Sequence, residues 1–488
     1  MKVTTGKKMC IGLGMMILII FPMQAQNRPA PLEITLERAI EIALSENPSV
    51  KIADLEVQKK KYAKQSAQSA LYPQIDAVGQ YSRTLKKQVM YMDGAFNMNS
   101  IFEPIIMGME QTFKGIDPTY QLGTLSHNID ANMPPPKEGS DGITVGRDNN
   151  WTGGFQLTWP VVVPTLWKSL EISSLDVELA VENARSSKIN MVNAVRKAYY
   201  MVLLAKDVLN VYQKSYDNAI LNYNVIQNRY KQGNAAEIEL IRADVNAKNI
   251  KPNVIQAQNT YNIATFSLKA LMGIDLDQAI TVEGSLLDYE KSLYAEILSI
   301  DKSLTSNSDL KKFDIQTEQL QKSLELYKAQ YYPTIAITGN YMYMSMNNDF
   351  KFGDYRWNPY STVGLSVSIP VFDGLKKHRT IQQTKISLEQ MKWQREDVVR
   401  SLQLAVDNNI NTMTNYVEQV FSTKDVVELA QKSCEISQTL YDTGMGILLE
   451  LQTAQLGLTQ ASLAFNQAIY NFLTSKADLD KLLGVEIK

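Results

Sequence analysis

The sequence predicts a mainly helical chain with a small β part, built as two similar halves whose few strands need neighbouring copies to complete a wall. Three observations lead there. Identities recur at fixed offsets along the chain. A heptad stripe runs unbroken from Met191 to Tyr230. Two pairs of segments, each about ten residues long, alternate apolar and polar with period two.

The chain opens with Lys2, Lys7 and Lys8, an apolar run from Met9 to Met23 broken late by Pro22, and the small residue Ala25. A charged start, a short apolar stretch and a small residue at its end describe a secretory leader, residues 1–25, with Gln26 as the first mature residue. A retained membrane anchor is the competing reading, and the shortness of the run argues against it. Loss of three lysines takes the net charge from −2 to −5. Cys10 lies early in the leader, not at its end, so no lipidation is expected. Cys434 is then the sole mature cysteine, and no internal disulfide can form.

Two halves follow. Asn47, Tyr72, Pro73, Ile75, Gly79 and Tyr81 recur as Asn307, Tyr332, Pro333, Ile335, Gly339 and Tyr341, all 260 residues on. Gly154, Pro160 and Val161 recur 210 residues on, as Gly364, Pro370 and Val371. Tyr230, Gly233, Glu239 and Gly273 recur 211 residues on, as Tyr441, Gly444, Glu450 and Gly484. We assign 26–293 to the first repeat and 294–488 to the second. Each reads helix, strand, loop, strand, long helix, turn, helix.

The strand candidates are Pro73–Ser82 and Gly153–Val163 in the first repeat, and Pro333–Met344 and Ser361–Val371 in the second. Phe155, Leu157, Trp159, Val161 and Val163 share one face, as do Val363, Leu365, Val367, Ile369 and Val371. Segments of this length suit a membrane-crossing strand. A soluble sheet with one buried face is the alternative. Four strands cannot close a useful barrel, and open edges do not exist in lipid. Copies of the chain must therefore pool their strands, or the sheet is soluble. The leader and the aromatic residues at strand ends favour pooling.

The long helices are predicted at 165–230 and 375–441. In the first, Met191, Val195, Ala198, Val202, Ala205 and Leu209 begin a 4-3 spacing that continues through Tyr212 to Tyr230. Thr165–Tyr230 is 66 residues, roughly 100 Å at ~1.5 Å per residue. Gly233 and Gly444 end the two rods, and helices return over Ala235–Met272 and Ile447–Leu483. Pro252 is expected to kink the first return helix or shift its register. The loop Arg83–Trp151 is long and rich in Gly, Asn, Met and Pro, whereas Asn347–Tyr360 is short; both are placed outside the cell.

Chemistry is sparse. The charge balance, 49 Lys+Arg against 51 Asp+Glu, gives no footprint for nucleic acid. Two His and two Cys leave little for a metal site or a Cys/His pair. No Ser/His/Asp set or phosphate-binding glycine loop appears, so no enzyme and no cofactor is predicted. Met342, Met344 and Met346 alternate on one strand, and the long loop adds Met90, Met92, Met98, Met107, Met109 and Met133. Thioethers suit Cu(I), but apolar filler is the simpler reading. His127 and His378 are isolated and have no assigned role.

Taken in order, these residues resemble the TolC-like outer-membrane efflux channels. The resemblance rests on the duplication, on Leu36-Glu37-Arg38-Ala39-Ile40 with Asn47-Pro48, and on Tyr-Pro before the strands. It rests also on two helix-turn motifs, Arg229-Tyr230-Lys231-Gln232-Gly233 with Glu239 and Leu440-Tyr441-Asp442-Thr443-Gly444 with Glu450. It implies a homotrimer in the outer membrane of a Gram-negative bacterium, with four strands per chain in one barrel and a helical barrel through the periplasm. The duct would serve a periplasmic adaptor and an inner-membrane RND or ABC transporter, and would export small molecules or polypeptides. The turns would dock the adaptor through Arg229, Tyr230, Gly233, Asn234, Gly444 and Met445. Glu239, Glu450 and Tyr441 match the acidic and aromatic positions of the channel constriction. Gly446 and Thr453 stand where some members carry a basic and a second acidic residue. Rings of Glu239 and Glu450 would favour cations; ordinary solvated helix positions are the alternative. Tyr230 and Tyr441, at the ends of their stripes, also read as core packing. A soluble periplasmic coiled-coil scaffold or adaptor is the competing function, and it lacks a recognisable lipoyl-like or β-barrel module.

Overall fold

A computed structural model describes residues 32–90, 104–105, 107–109, 111–112, 114, 143–293 and 302–485. The predicted leader and much of the first loop, with Met92, Met98, His127, Met133 and Pro134–Pro136, lie outside the described residues. In chain order the elements are β1 (Leu32–Ile34), α1 (Leu36–Glu46), α2 (Pro48–Ser69), β2 (Gln74–Arg83), β3 (Gln88–Met90), β4 (Ile143–Val145), β5 (Asn149–Val162), α3 (Pro164–Lys231) and α4 (Glu237–Met272). There follow β6 (Ile280–Val282), a 3-10 turn (Leu286–Ser292), α5 (Ser308–Ala329), β7 (Thr334–Asn347), β8 (Asn358–Ser368), α6 (Lys376–Asp442) and α7 (Leu448–Leu483). The predicted strands and helices are all present, with ends moved by a few residues. The helix α4 runs through Pro252 without a break. Pro252 is exposed, so the carbonyl it leaves unpaired one turn back can bond to water.

The chain divides into two compact units. One, Gln58–Leu179 with Ile315–Lys392, holds a four-stranded sheet of order β2-β5-β7-β8, antiparallel throughout. Cross-strand register sorts its side chains into two faces. One row runs Ile75–Leu157–Gly339–Val363, and the next on the same face runs Ala77–Phe155–Tyr341–Ser361. The opposite face carries Asp76–Gln156–Asn340–Thr362 and Gln74–Thr158–Thr338–Gly364. Every residue of β2 and of β8 is exposed, so both edges of the sheet are bare. Beside the sheet, Lys168 bonds Glu171 and Glu325, each at 2.8 Å, and Lys322 reaches Glu171 at 2.9 Å. The lysines hold both carboxyls below the usual range, and the carboxylates raise Lys168 and Lys322.

The other unit, Met1–Val57, Ala180–Asp314 and Trp393–Lys488, contains the main core. The predicted stripe faces inward there: Val195, Val202, Ala205, Ala219 and Ile226 are buried, and only its last member, Tyr230, is exposed. Leu203, Leu268, Ile469 and Phe472 complete the core from three helices, each worth about 1.5–3 kcal/mol in burial. A parallel pair, β1 with β6, closes one side. The α3 side chains hold this pair and its linker: Tyr199 Oη donates to Glu283 O at 2.8 Å, and Lys206 Nζ donates to Val282 O and Gly284 O at 3.1 Å each. Asp207 accepts from Ser285 Oγ and Leu286 N at 3.0 Å each.

The duplication is visible as atoms. Asn47 Nδ2 donates to Leu271 O at 2.8 Å, and Asn307 Nδ2 donates to Leu482 O at 2.7 Å. Each asparagine also turns its Oδ1 to the next helix start, accepting from Ser49 N and from Asp309 N respectively. The same interaction thus joins the end of each return helix to the start of the helix that precedes the first sheet strand of its repeat.

Candidate functional site

Two places carry the functional question: the sheet and the helix turns. The apolar face of the sheet is bordered by aromatic residues at both ends. Tyr81 and Trp151 stack at 4.2 Å near the loops, and Trp159, at the helix end, donates its Nε1 proton to Leu71 O at 3.2 Å. Trp151 and Trp159 are eight residues apart on one strand, or about 26 Å. That is close to the height of the apolar band of a membrane barrel. No described helix is long and apolar enough to cross a membrane.

The two turns close in the same way. Gly233 N donates to Tyr230 O at 2.9 Å and Asn234 N to Arg229 O at 2.8 Å. Gly444 N donates to Tyr441 O at 3.1 Å and Met445 N to Leu440 O at 2.9 Å. Both glycines have left-handed φ, +73° and +78°, so each ends its helix in a Schellman motif. The turns pack together through Ile226, Ala243, Tyr441, Leu448 and Leu451.

The other predicted residues fall on different sides of this cluster. Tyr441 is 7% exposed, whereas its repeat mate Tyr230 is 40% exposed. The Arg229 guanidinium lies over the Tyr441 ring, 5.4 Å from its centre. Burial raises the Tyr441 phenol, Arg229 opposes that rise and Glu239 adds to it. Glu239 is half-buried; Glu450 is exposed. Met445 stands out at 74% exposure. A Cβ on Gly446 would stand 3.0 Å from Leu440 Cβ, so a side chain there would require Leu440 to give way by a few tenths of an ångström. Sequence reasoning missed the Arg229–Tyr441 contact, because spacing along one helix says nothing of a partner on another. A groove of about 630 Å³ beside the turns is lined by amides and acids including Asn222, Glu435, Gln438 and Asp442.

A two-faced sheet of membrane-crossing length, joined to heptad helices that end in paired glycine turns, defines an outer-membrane channel protein. The model of the outer membrane efflux protein family matches residues 119–274 and 299–485, and the chain belongs to that family. The two matched stretches end 211 residues apart (485 − 274), at the same point in each repeat. The outer membrane protein TolC of Escherichia coli is 21% identical over 411 residues, 82% of this chain and 79% of TolC. The alkaline protease secretion protein AprF of Pseudomonas aeruginosa is 21% identical over 63% of this chain and 64% of its own length. Among solved structures, the Campylobacter jejuni CmeC outer membrane channel aligns with a TM-score of 0.65 at 15% identity, covering 92% of this chain and 85% of CmeC. The open state of the Neisseria gonorrhoeae MtrE channel aligns with a TM-score of 0.63 at 16% identity, covering 92% and 88%. The protein is an outer-membrane efflux channel that extends into the periplasm, of the kind used in tripartite efflux and type I secretion. Such channels work with a periplasmic adaptor and an inner-membrane pump, and the family is one of channels, not enzymes.

Proposed function

We propose that three copies of the chain pool their sheets into one twelve-stranded barrel, and that their helices form a single periplasmic duct below it. The observation that carries this reading is the sheet itself, apolar on one face, polar on the other, and bare along β2 and β8. An unpaired edge in lipid costs several kcal/mol per polar group, so β2 of one copy pairs with β8 of the next. The polar face lines the lumen, and the loops after β2 and β7 face outward.

The turns at Gly233 and Gly444 form the inner mouth. Glu239 and Glu450 supply acidic rings there, and Tyr441, with Arg229 over it, holds the two hairpins of one copy together at the constriction. Arg229, Tyr230, Gly233, Asn234, Gly444 and Met445 meet the adaptor, which links the duct to an RND or ABC transporter. Relatives named for alkaline protease secretion, for toxin and drug export and for pyoverdine export support cargo of either class, small molecule or polypeptide. Native mass of the detergent-extracted outer-membrane fraction tests the assembly. A trimer is expected, and a monomer in the soluble periplasmic fraction refutes it. Planar-bilayer conductance tests the rings: Glu239→Gln with Glu450→Gln should lower cation preference, and unchanged selectivity removes them.

A further inference from the structure

Past the last ladder pair, Thr334 with Ser368, the apolar row of β8 does not stop. Val363, Leu365 and Val367 are followed by Ile369, Val371 and Phe372, the last two 92% and 82% exposed. Leu375 comes next, also more than half exposed, with a left-handed φ of +66°. A leucine takes that conformation at a cost that a glycine would not incur. A strained, water-facing leucine after three exposed apolar residues implies a non-aqueous neighbour.

Immediately beyond lie Lys376, Lys377, His378 and Arg379. Lys377 stands over the Tyr331 ring at 5.4 Å and 4.0 Å from Asp373. Lys376 and Arg379 are exposed and make no ion pair among the described residues. The fold does not require them. At the 210-residue offset, the first repeat has Leu166 and Ser169 in their places. Its one cation here, Lys168, is neutralised by Glu171 and Glu325.

An apolar row that ends in unneutralised cations matches a bilayer boundary, acyl chains first and phosphates next. We propose that Lys376 and Arg379 bind the phosphate of an anionic phospholipid in the periplasm-facing leaflet, while Ile369, Val371, Phe372 and Leu375 contact its acyl chains. This rests on the membrane placement of the sheet proposed above. Charge complementarity and continuity with the lipid-facing row favour a lipid over a protein partner.

Native mass spectrometry of the detergent-solubilised full chain, with phosphatidylglycerol or phosphatidylcholine added, tests the site. Wild type should retain phosphatidylglycerol about fivefold or more over phosphatidylcholine. Lys376→Gln with Arg379→Gln should bring the ratio to about one, and Lys376→Arg with Arg379→Lys should keep it. Equal retention by wild type, or an unchanged ratio in the glutamine variant, overturns the proposal. Displacement by inorganic phosphate would assign the patch to a soluble anion and overturn it too. A glutamine variant of altered native mass would mark a contact between copies, with the same result. The wild-type mass reports on the pooled barrel independently, so the failure of either idea is read separately.

Discussion

The junctions between helix ends and helix starts make the same side-chain bonds in the two repeats, whereas the turns at the far ends of the same helices share their backbone closure but differ in their side chains. At the junctions, Asn47 and Asn307 make the same bond to a helix-end carbonyl, beside Gly273 and Gly484. Both glycines have left-handed φ, +72° and +70°. At the turns the glycines, the preceding tyrosines and the acids Glu239 and Glu450 recur, yet the tyrosines differ, one buried and one exposed. The difference separates two kinds of constraint. A backbone that must reverse beside another backbone accepts one residue type. A side chain at a surface turn is free to change its chemistry.

The largest expected effect lies at the junctions. A Cβ on Gly484 would overlap Ser306 O, whereas one on Gly273 would stand 3.0 Å from Glu46 O. Gly484→Ala should cost about 2–4 kcal/mol and Gly273→Ala about 1–2 kcal/mol, read from thermal unfolding in detergent. Equal losses would mean that strain from φ, common to both, outweighs the overlap. At the turns, Tyr441→Ala should destabilise by about 2–4 kcal/mol and Tyr230→Ala by less than about 1 kcal/mol. Hydrogen exchange of the turn amides checks this; similar protection in the two variants would erase the asymmetry.

Asn307 gives its amide to Leu482 O and accepts from Asp309 N and Leu310 N. Asn307→Ala should cost about 1–3 kcal/mol, and Asn47→Ala about the same or slightly less. A loss in one repeat only would break the equivalence. The smallest effect concerns Asp207, whose counterpart at the 211 offset, Glu418, is also acidic but exposed. Burial raises the Asp207 carboxyl, and bonds from Leu286 N and Ser285 partly offset this. The folded chain therefore holds that proton more tightly than the unfolded one. Stability falls as pH rises from the ordinary carboxylate value through the raised one, then levels. Asp207→Asn should lack that fall and be as stable as wild type at neutral pH, or more so by less than about 1 kcal/mol. Parallel pH curves for the two proteins would refute the assignment.

What could be read in advance follows from how each element encodes itself. The helices announce themselves because Met191 to Tyr230 repeat one spacing through many turns, and the strands because Phe155 to Val163 and Val363 to Val371 alternate. The pair β1 and β6 went unseen. Leu32–Ile34 and Ile280–Val282 are three residues each, too short for any period, and their pairing lies between distant parts of the chain. For the turns, the glycines and the acidic and aromatic positions were legible. The burial of Tyr441 beneath Arg229 was not, because it depends on how two separate hairpins pack.

The pairing of Leu32–Ile34 with Ile280–Val282 has a consequence for biogenesis. A polypeptide that crosses the inner membrane amino end first delivers Leu32 early and Ile280 only after more than half of its length. Until then the earliest segment has no mate, and closing so long a loop is slow. The first repeat is therefore finished only when its own last strand has emerged, so the oldest part of the nascent chain waits through more than half of the polypeptide before it is fastened.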